Sequence, residues 1–218
     1  MTQSSANEPT LWTAPAGRAP TPAADMWYGH PSACVDDGAR IGAGTTIWHF
    51  CHVSPDSQIG ARCSLGQNAF VAPGVVLGNG VRVQNNVSLY TGVVVEDDVF
   101  LGPSCVLTNV FNPRSHVSRK HEYRTTTLRR GCSIGANATI VCGIEVGRYA
   151  FVGAGAVVTR PVPAFAQVTG TPARVVGWRC QCGEKLALRM QPAATTCAHC
   201  GAEYEVEGDG LRWTRDQT

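Results

Sequence analysis

The sequence is poor in charge and has no long run of apolar residues. Only 16% of its 218 residues are charged, against roughly 25% in average proteins, so long charged helices cannot dominate the fold. The formal net charge of +2 is too small for a protein that coats nucleic acid. No apolar run approaches the roughly 18 residues that a membrane-spanning helix needs, so none is expected.

The first residues and the cysteine content argue against two further classes. The opening stretch, MTQSSANEPT, has neither the basic start nor the apolar segment of a secretory signal. The ten cysteines are a smaller share than the roughly 8–10% found in disulfide scaffolds. We therefore expect a cytoplasmic protein whose cysteines are thiols or metal ligands.

What the sequence does have is a six-residue period and a high glycine content, 24 of 218 residues. A column of aliphatic residues recurs at every sixth position, breaks once and then resumes: Val35, Ile41, Ile47, Val53, Ile59, Leu65, Val71, Leu77, Val83, Leu89, Val95, Leu101 and Leu107, then Leu128, Ile134, Ile140, Val146, Val152 and Val158. A second column of mostly small or β-branched residues lies four positions after each of these, from Ala39 to Phe111 and from Cys132 to Val162. Glycine often follows the first column, as at Gly42, Gly60, Gly66, Gly78, Gly102, Gly135, Gly147 and Gly153.

A strict period of six fits neither a helix, which needs apolar residues every 3.6 positions, nor a long strand, which needs them every two. It is typical of short strands joined by tight turns and stacked as coils around a shared core. We expect the glycines to relieve backbone strain at the corners. An ordinary β-sandwich with accidental spacing is the alternative, but thirteen consecutive matches argue against it.

Residues 112–127 interrupt the period with a basic loop. This loop and the next turn hold six of the eighteen Lys and Arg residues, together with two histidines and one acid, Glu122. A concentrated positive charge predicts an anionic ligand, such as phosphates or a carboxylate. The alternative is a solvated loop that serves solubility.

The tail after Trp178 has two cysteine pairs, each followed by glycine: Cys180-Gln-Cys182-Gly and, after fourteen intervening residues, Cys197-Ala-His199-Cys200-Gly. Residues 203–213 alternate as a β-hairpin would. So short a segment needs a staple, and we predict a zinc ribbon with ligands Cys180, Cys182, Cys197 and Cys200, where His199 could replace one cysteine. Free thiols or a redox pair are the alternatives.

The repeat, an aliphatic residue often followed by glycine with a small residue four places on, resembles that of the hexapeptide-repeat acyltransferases. The resemblance covers roughly residues 28–178 and implies an all-β, left-handed parallel β-helix with three hexads per coil and about six coils. Members are typically trimers with active sites between subunits. The predicted division is a disordered extension over 1–25, the β-helix over 26–178, and the ribbon over 179–218.

Five segments narrow the resemblance: IWHFCHV (47–53), QNNVSLYTG (84–92), LTNVFNPR (107–114), RKHEYR (119–124) and VTGTPARVVGW (168–178). They are similar to those of sugar-nucleotide N-acetyltransferases, most of all the group that acetylates the 3-amino group of UDP-2-acetamido-3-amino-2,3-dideoxyglucuronate for bacterial O-antigen. This resemblance implies acetyl-CoA as co-substrate. A dTDP-amino sugar or an O-acetyl acceptor is the alternative.

The resemblance also suggests catalytic residues. Many relatives use a histidine base just before the loop, but here that stretch offers only Asn109 and Asn112. We predict that Asn109 orients the amine by a hydrogen bond, unless it is merely a turn residue. His116 is the remaining candidate base, and His49 and His52 could line a groove between subunits.

Further residues are assigned by the same resemblance. Predicted contacts to the sugar nucleotide are Asn85, Asn86, Tyr90, Arg114, Arg119, Lys120, Glu122 and Tyr123. Predicted contacts to acetyl-CoA are backbone groups near Gly153 and Gly155 and the side chains of Arg160 and Arg174.

Two other functions compete with this one. A γ-class carbonic anhydrase shares the solenoid, and His116 and His121 have a similar spacing, but both lie in the loop outside the hexad register. A non-catalytic scaffold is opposed by the concentrated basic loop and by the TPAR segment at 171–174.

Overall fold

The computed structural model describes residues 26–187, 194–208 and 210–214, and the backbone of Leu11–Trp12. The first strands are β1 (Leu11–Trp12), β2 (Trp27–Gly29), β3 (Cys34–Val35), β4 (Arg40–Ile41), β5 (Thr46–Ile47), β6 (His52–Val53), β7 (Gln58–Ile59), β8 (Ser64–Leu65), β9 (Phe70–Val71), β10 (Val76–Leu77), β11 (Arg82–Val83), β12 (Ser88–Leu89), β13 (Val93–Val95), β14 (Phe100–Leu101) and β15 (Val106–Leu107). After a 3-10 turn over Lys120–Glu122 come β16 (Thr126–Leu128), β17 (Ser133–Ile134), β18 (Thr139–Ile140), β19 (Glu145–Val146), β20 (Phe151–Val152), β21 (Val157–Val158) and β22 (Ala166–Thr169). The last are β23 (Arg174–Arg179), β24 (Lys185–Leu186), β25 (Ala194–Thr196), β26 (Glu203–Glu207) and β27 (Gly210–Trp213).

The strands stack as coils of eighteen residues with three sheets. Thr46 pairs in parallel with Ser64, and Ser64 with Arg82. Every third strand therefore joins the same sheet, and the predicted all-β solenoid is confirmed, with the stacking expected of a left-handed β-helix. Eight strands, from β2 to β22, stack in one sheet, so the expected count of about six coils is too low. The six-residue period does not extend into the last coil because this coil is shorter than eighteen residues: Phe151 pairs with Gln167.

The two columns form the core. From Ile41 to Val158 every residue of the first column is buried, and the second column fills the rest of the interior with small side chains such as Thr45, Cys63 and Ala138. Phe111 is an exception. It was expected in the second column but is 50% exposed, because the chain has already left the coil there.

Glycine and turn residues play two different structural roles in the coils: some adopt left-handed backbone at the corners, and others allow neighbouring coils to pack closely. Left-handed backbone recurs every sixth residue from Gly38 to Ser104, with φ of 73° at Gly74 for example. The glycines that follow the first column are not at these corners, contrary to expectation. At Gly135 a Cβ would lie 2.5 Å from the backbone nitrogen of Ala154 in the next coil. That glycine therefore permits close stacking of coils rather than a strained turn.

The basic loop is an insertion between β15 and β16. Val94 pairs with Thr127, a separation of 33 residues instead of 18. Because Thr126–Leu128 is already a strand, the excursion occupies residues 108–125 rather than 112–127.

The C-terminal segment packs on the last coil. Strands β25, β26 and β27 form an antiparallel sheet, which includes the predicted hairpin. A second apolar cluster, with Phe165 from the last coil and Cys180, Leu186, Cys197, Tyr204 and Leu211 from the tail, joins the two regions. At the other end, Leu11–Trp12 pairs with β2, and the rest of the predicted extension over 1–25 lies outside the described residues. In the described part of the chain, no helix has the length and apolarity to cross a membrane.

Candidate active site and cysteine cluster

The inserted loop encloses a groove of about 660 Å³. It brings together five residues that the sequence assigned to catalysis or to substrate: Arg114, His116, Arg119, Lys120 and Tyr123. All except Arg119 are exposed, so the groove opens to solvent. The loop thus gathers three cationic side chains and one imidazole around one concave surface.

Glu122, predicted to contact substrate, forms an ion pair with Arg119. Its carboxylate accepts a hydrogen bond of 2.7 Å from Arg119 Nη1 and lies 3.6 Å from His121 Nε2. The Nε of Arg119 is buried and has no hydrogen-bond partner within the described residues. A buried donor without a partner costs free energy, so this N–H is suited to an incoming acceptor such as a phosphate or carboxylate oxygen.

The basic residues of the next turn do not add to the charge of the groove. Arg129 forms ion pairs of 2.6 Å with both Glu96 and Glu145, and Arg130 lies 3.6 Å from Asp98. These pairs link neighbouring coils. The sequence alone grouped the two arginines with the loop because their acidic partners are distant along the chain.

Asn109 lies half-buried at the base of the loop, two residues after β15. Its carbonyl accepts a hydrogen bond of 2.9 Å from the Arg124 amide. The Arg124 guanidinium in turn lies 4.6 Å from the centre of the Phe111 ring. Among the described residues the Asn109 side-chain amide has no hydrogen-bond partner, so neither its donor nor its acceptor is engaged within the chain, although Asn109 does not line the loop groove.

The predicted contacts Asn85, Asn86 and Tyr90 lie on earlier coils and do not line the loop groove. Asn85 Oδ1 accepts a hydrogen bond of 2.9 Å from the Gln67 amide in the coil below. Asn86 Oδ1 accepts one of 3.1 Å from the Asn68 side chain and sits at a left-handed corner, with φ of 60°. Both asparagines thus stabilise the coil.

Asn85 nevertheless lines a second groove of about 340 Å³. Trp48 and His49 line the same groove, with their rings stacked at a centroid distance of 6.3 Å. Tyr90 is 41% exposed and packs at 6.0 Å from the Phe70 ring. Trp48 is a candidate ligand contact that the sequence reasoning did not single out, although it lies in the segment IWHFCHV and outside the two interior columns.

Of the four residues assigned to acetyl-CoA, the two arginines line one groove, whereas the backbone amides of the two glycines already donate hydrogen bonds within the β-helix. Arg160 and Arg174 line one groove of about 160 Å³ near the end of the β-helix. The amide of Gly153 donates to Val168 and the amide of Gly155 to Ala136, each at 2.8 Å. Neither glycine can therefore donate its amide to a ligand, and the arginines are the stronger candidates.

The four predicted zinc ligands converge. The sulfur atoms of Cys180, Cys182, Cys197 and Cys200 all lie within 4.8 Å of one another. The Cys180–Cys200 distance is 3.4 Å and the Cys182–Cys197 distance is 3.7 Å. A tetrahedral zinc site with Zn–S bonds of about 2.3 Å has S–S edges of about 3.8 Å, so this donor set fits zinc. His199 is not a member of the cluster.

The thiols of the cluster differ in pKa because their surroundings differ. Burial raises the pKa of Cys180 to about 12, and the Tyr204 hydroxyl lies 2.9 Å from its sulfur. Burial would also raise the pKa of Cys197, but the amides of Cys200 and His199 and the neighbouring thiols lower it to about 7. Cys105 in the β-helix core is simpler, since burial raises its pKa to about 12 and leaves it an apolar filler.

Comparison with known proteins places these features in a family. Residues 38–73 and 125–160 match the model "Bacterial transferase hexapeptide (six repeats)", and residues 58–91 match "Hexapeptide repeat of succinyl-transferase". The dTDP-3-amino-3,6-dideoxy-alpha-D-galactopyranose 3-N-acetyltransferase of Aneurinibacillus thermoaerophilus is 40% identical over 182 residues, which are 84% of this chain and 92% of that protein.

Solved structures with a similar arrangement include two acetyltransferases. The acetyltransferase domain of PglB from Neisseria gonorrhoeae is 23% identical, with a TM-score of 0.48 over 69% of this chain and 57% of that one. PerB from Caulobacter crescentus, in complex with CoA and GDP-perosamine, is 24% identical, with a TM-score of 0.43 over 68% and 56%. The repeat, and above all the identity to the Aneurinibacillus enzyme across nearly its whole length, show that this chain belongs to the hexapeptide-repeat acyltransferases.

Proposed function

We propose that the chain is an acetyl-CoA-dependent N-acetyltransferase that acts on the 3-amino group of a nucleotide-linked sugar for a bacterial surface polysaccharide. The observation that carries this proposal is the 40% identity to a 3-N-acetyltransferase over 92% of that enzyme's length. A homotrimer with its active sites between subunits accounts for predicted contacts that lie on separate grooves of one chain. Asn85, for example, lines a different groove from Arg114.

Two acceptors fit the same chemistry. UDP-2-acetamido-3-amino-2,3-dideoxyglucuronate is favoured by the loop groove, where Arg114, Arg119 and Lys120 could neutralise a uronate carboxylate as well as a diphosphate. dTDP-3-amino-3,6-dideoxygalactose is favoured by the name of the Aneurinibacillus relative. Both carry the amine at C3. They differ in the base, in the C2 substituent, in the configuration at C4, and at C6, which is a carboxylate in the first and a methyl group in the second.

The reaction is an acyl transfer. The neutral amine nitrogen attacks the thioester carbonyl, a C–N bond forms, the C–S bond breaks, and the ammonium proton passes to the departing CoA thiolate or to solvent. The protein must bring the two substrates together and stabilise the oxyanion. Asn109 would orient the amine through its free side-chain amide, and His116, which lines the loop groove, is the alternative acceptor of the proton. Arg160 and Arg174 would bind phosphate groups of CoA.

A direct assay tests this function. The purified chain is mixed with acetyl-CoA and each amino-sugar nucleotide in turn, and release of the CoA thiol is recorded. Release with the UDP-uronate but not with the dTDP sugar identifies the uronate as the acceptor, as the basic groove favours. The reverse result identifies 3-amino-3,6-dideoxygalactose as the acceptor. No release with any nucleotide-linked 3-amino sugar would overturn the proposal.

Two variants separate the catalytic assignments. Asn109→Ala is expected to lower kcat/KM by roughly 10²-fold through loss of orientation. His116→Ala is expected to cost much less. If the histidine variant alone loses roughly 10²–10⁴-fold, the loop imidazole is the general base and the role given to Asn109 is wrong. His121→Ala, a change at an exposed histidine of the same loop, is the matched control.

We infer that the cysteine cluster holds a structural zinc ion. Its four sulfurs fit a tetrahedral site, and their number leaves no open position for a substrate. The Tyr204 hydroxyl accepts a hydrogen bond of 3.0 Å from the Gln181 amide and contacts Cys180, so the ligand loop is oriented by a buried side chain. Metal analysis of the purified chain tests this, as described in the Discussion.

A further inference from the structure

A second cluster of potential metal ligands lies at the other end of the β-helix. Cys34, Asp36 and His52 offer one donor atom each, and these atoms lie within 4.8 Å of one another. None of the three belongs to the grooves or to the cysteine cluster described above. Each is at least partly accessible to solvent, so an ion can reach them.

The strand register explains why the three side chains converge. Cys34 on β3 pairs directly with His52 on β6, while their neighbours Val35 and Val53 form the next pair. Val53 points into the core, so Cys34 and His52 both point outward on the same face. Asp36 follows β3 and returns to that face by alternation.

The order of the three groups differs from that of a catalytic triad and is compatible with a shared metal ion. The Asp36 carboxylate lies between the other two, with Oδ2 3.0 Å from His52 Nε2 and Oδ1 3.6 Å from Cys34 Sγ. In a nucleophilic triad the imidazole would stand between thiol and carboxylate. Around zinc, N–O and S–O edges of about 3.3 Å and about 3.5 Å follow from ordinary bond lengths and tetrahedral angles. The two observed distances involve different oxygens of Asp36, so its carboxylate must rotate for one oxygen to meet both edges.

We propose that Cys34, Asp36 and His52 form a second zinc site, with one position left to water. A thiolate, an imidazole and a carboxylate are all ligands that zinc accepts. His52 is oriented for this role, because its ring packs at 5.6 Å from the Phe70 ring of the next coil. The ion would clip β3, the edge strand of its sheet, to β6. This proposal does not rest on the proposed acetyltransferase activity.

Cobalt binding to the full chain tests the proposal. The protein is stripped of metal and titrated with Co²⁺, and bound metal is counted after dialysis. The wild type is expected to bind one Co²⁺ per chain more than His52→Gln and one more than Cys34→Ser. His121→Gln, the same change at an exposed histidine outside the cluster, should bind as many ions as the wild type. The comparison holds whether or not the tail binds metal, because all four proteins have the same tail.

The absorption spectrum identifies the ligand. The difference between the wild type and Cys34→Ser should contain a thiolate-to-cobalt charge-transfer band with the intensity of a single sulfur. Equal metal counts in the wild type and both variants would overturn the proposal. So would a lost ion without this band, since Cys34 would then not be a ligand.

Discussion

A coil of the β-helix and the C-terminal tail bury their interiors by different means. Each coil adds a few aliphatic and small side chains to a core shared with the coils on either side, from Ile41 to Val168. The tail buries five residues against Phe165 of the last coil, and two of the five, Cys180 and Cys197, are predicted metal ligands. Stability in a solenoid is spread over many similar interfaces, whereas a small ribbon depends on its metal.

Removing the metal should separate the two regions most strongly. Cys197→Ser is expected to lower the zinc content by one ion per chain and to abolish amide protection in strands β25, β26 and β27. Structural zinc sites contribute apparent binding free energies of about 10–16 kcal/mol, more than so small an apolar cluster can replace. Protection in the coils from β4 to β15 should persist, and hydrogen exchange followed by mass spectrometry measures both.

Cys142→Ser is the matched control for this change. Cys142 is buried in a coil and has no place in the cluster, so its variant should keep the zinc of the tail. An unchanged zinc content in Cys197→Ser would contradict the ribbon, and collapse of the coils as well would show that the two regions fold as one unit.

Within the coils the weak points should be backbone contacts rather than ligands. Gly135→Ala places a Cβ 2.5 Å from Ala154 N and 2.6 Å from Gly153 C, so the coils must move apart at a cost of about 1–3 kcal/mol. Gly74→Ala meets nothing within 4 Å but must adopt a φ of 73°, which costs about 1–2 kcal/mol.

Substitution by asparagine distinguishes the steric clash expected at Gly135 from the backbone strain expected at Gly74. It tolerates left-handed backbone better than alanine, so Gly74→Asn should be more stable than Gly74→Ala. At Gly135 the order should reverse, because asparagine adds atoms to a contact that is already too close. Urea unfolding of the four variants measures both orders, and the same order at both glycines would refute the distinction.

The period of six made the coils predictable, since each aliphatic position reports directly on burial. The same arithmetic failed where the chain leaves the period. Phe111 satisfied the spacing but lies in the loop, and the terminal coils were missed because Tyr28 and Val168 are outside the uninterrupted column. The six-residue spacing predicts burial only in those coils that have eighteen residues.

The candidate site was less predictable because a sequence does not show which polar side chains already pair with other groups of the chain. The sequence offered Glu122 to the substrate, and the structure shows that its carboxylate also pairs with Arg119, three residues earlier. It offered Asn85 as well, yet the stacking of coils places that amide oxygen on Gln67. The cysteine cluster was easier, because the spacing of paired cysteines within one short tail already limits which atoms can meet.

The smallest effect is expected at an ion pair between coils, where no metal is involved. Burial would raise the pKa of Glu96, but hydrogen bonds from the Arg129 side chain and the Arg130 amide hold it below the ordinary value of 4.5. The stabilisation is therefore present above pH 4.5 and is lost as the pH falls through the lower pKa of the folded state. Glu96→Gln should cost at most about 1 kcal/mol near neutral pH, because both partners are partly exposed.

Measurement of the difference in unfolding free energy between Glu96→Gln and the wild type across pH tests this reasoning. The difference should shrink as the solution becomes more acidic than pH 4.5, since the wild-type carboxyl is then increasingly protonated. Both proteins have the same tail, so any acid release of metal cancels in the difference. Asp98→Asn, whose pair with Arg130 is longer at 3.6 Å, should show a smaller difference at every pH. A difference for Glu96→Gln that stays constant with pH would mean that Glu96 contributes packing rather than charge.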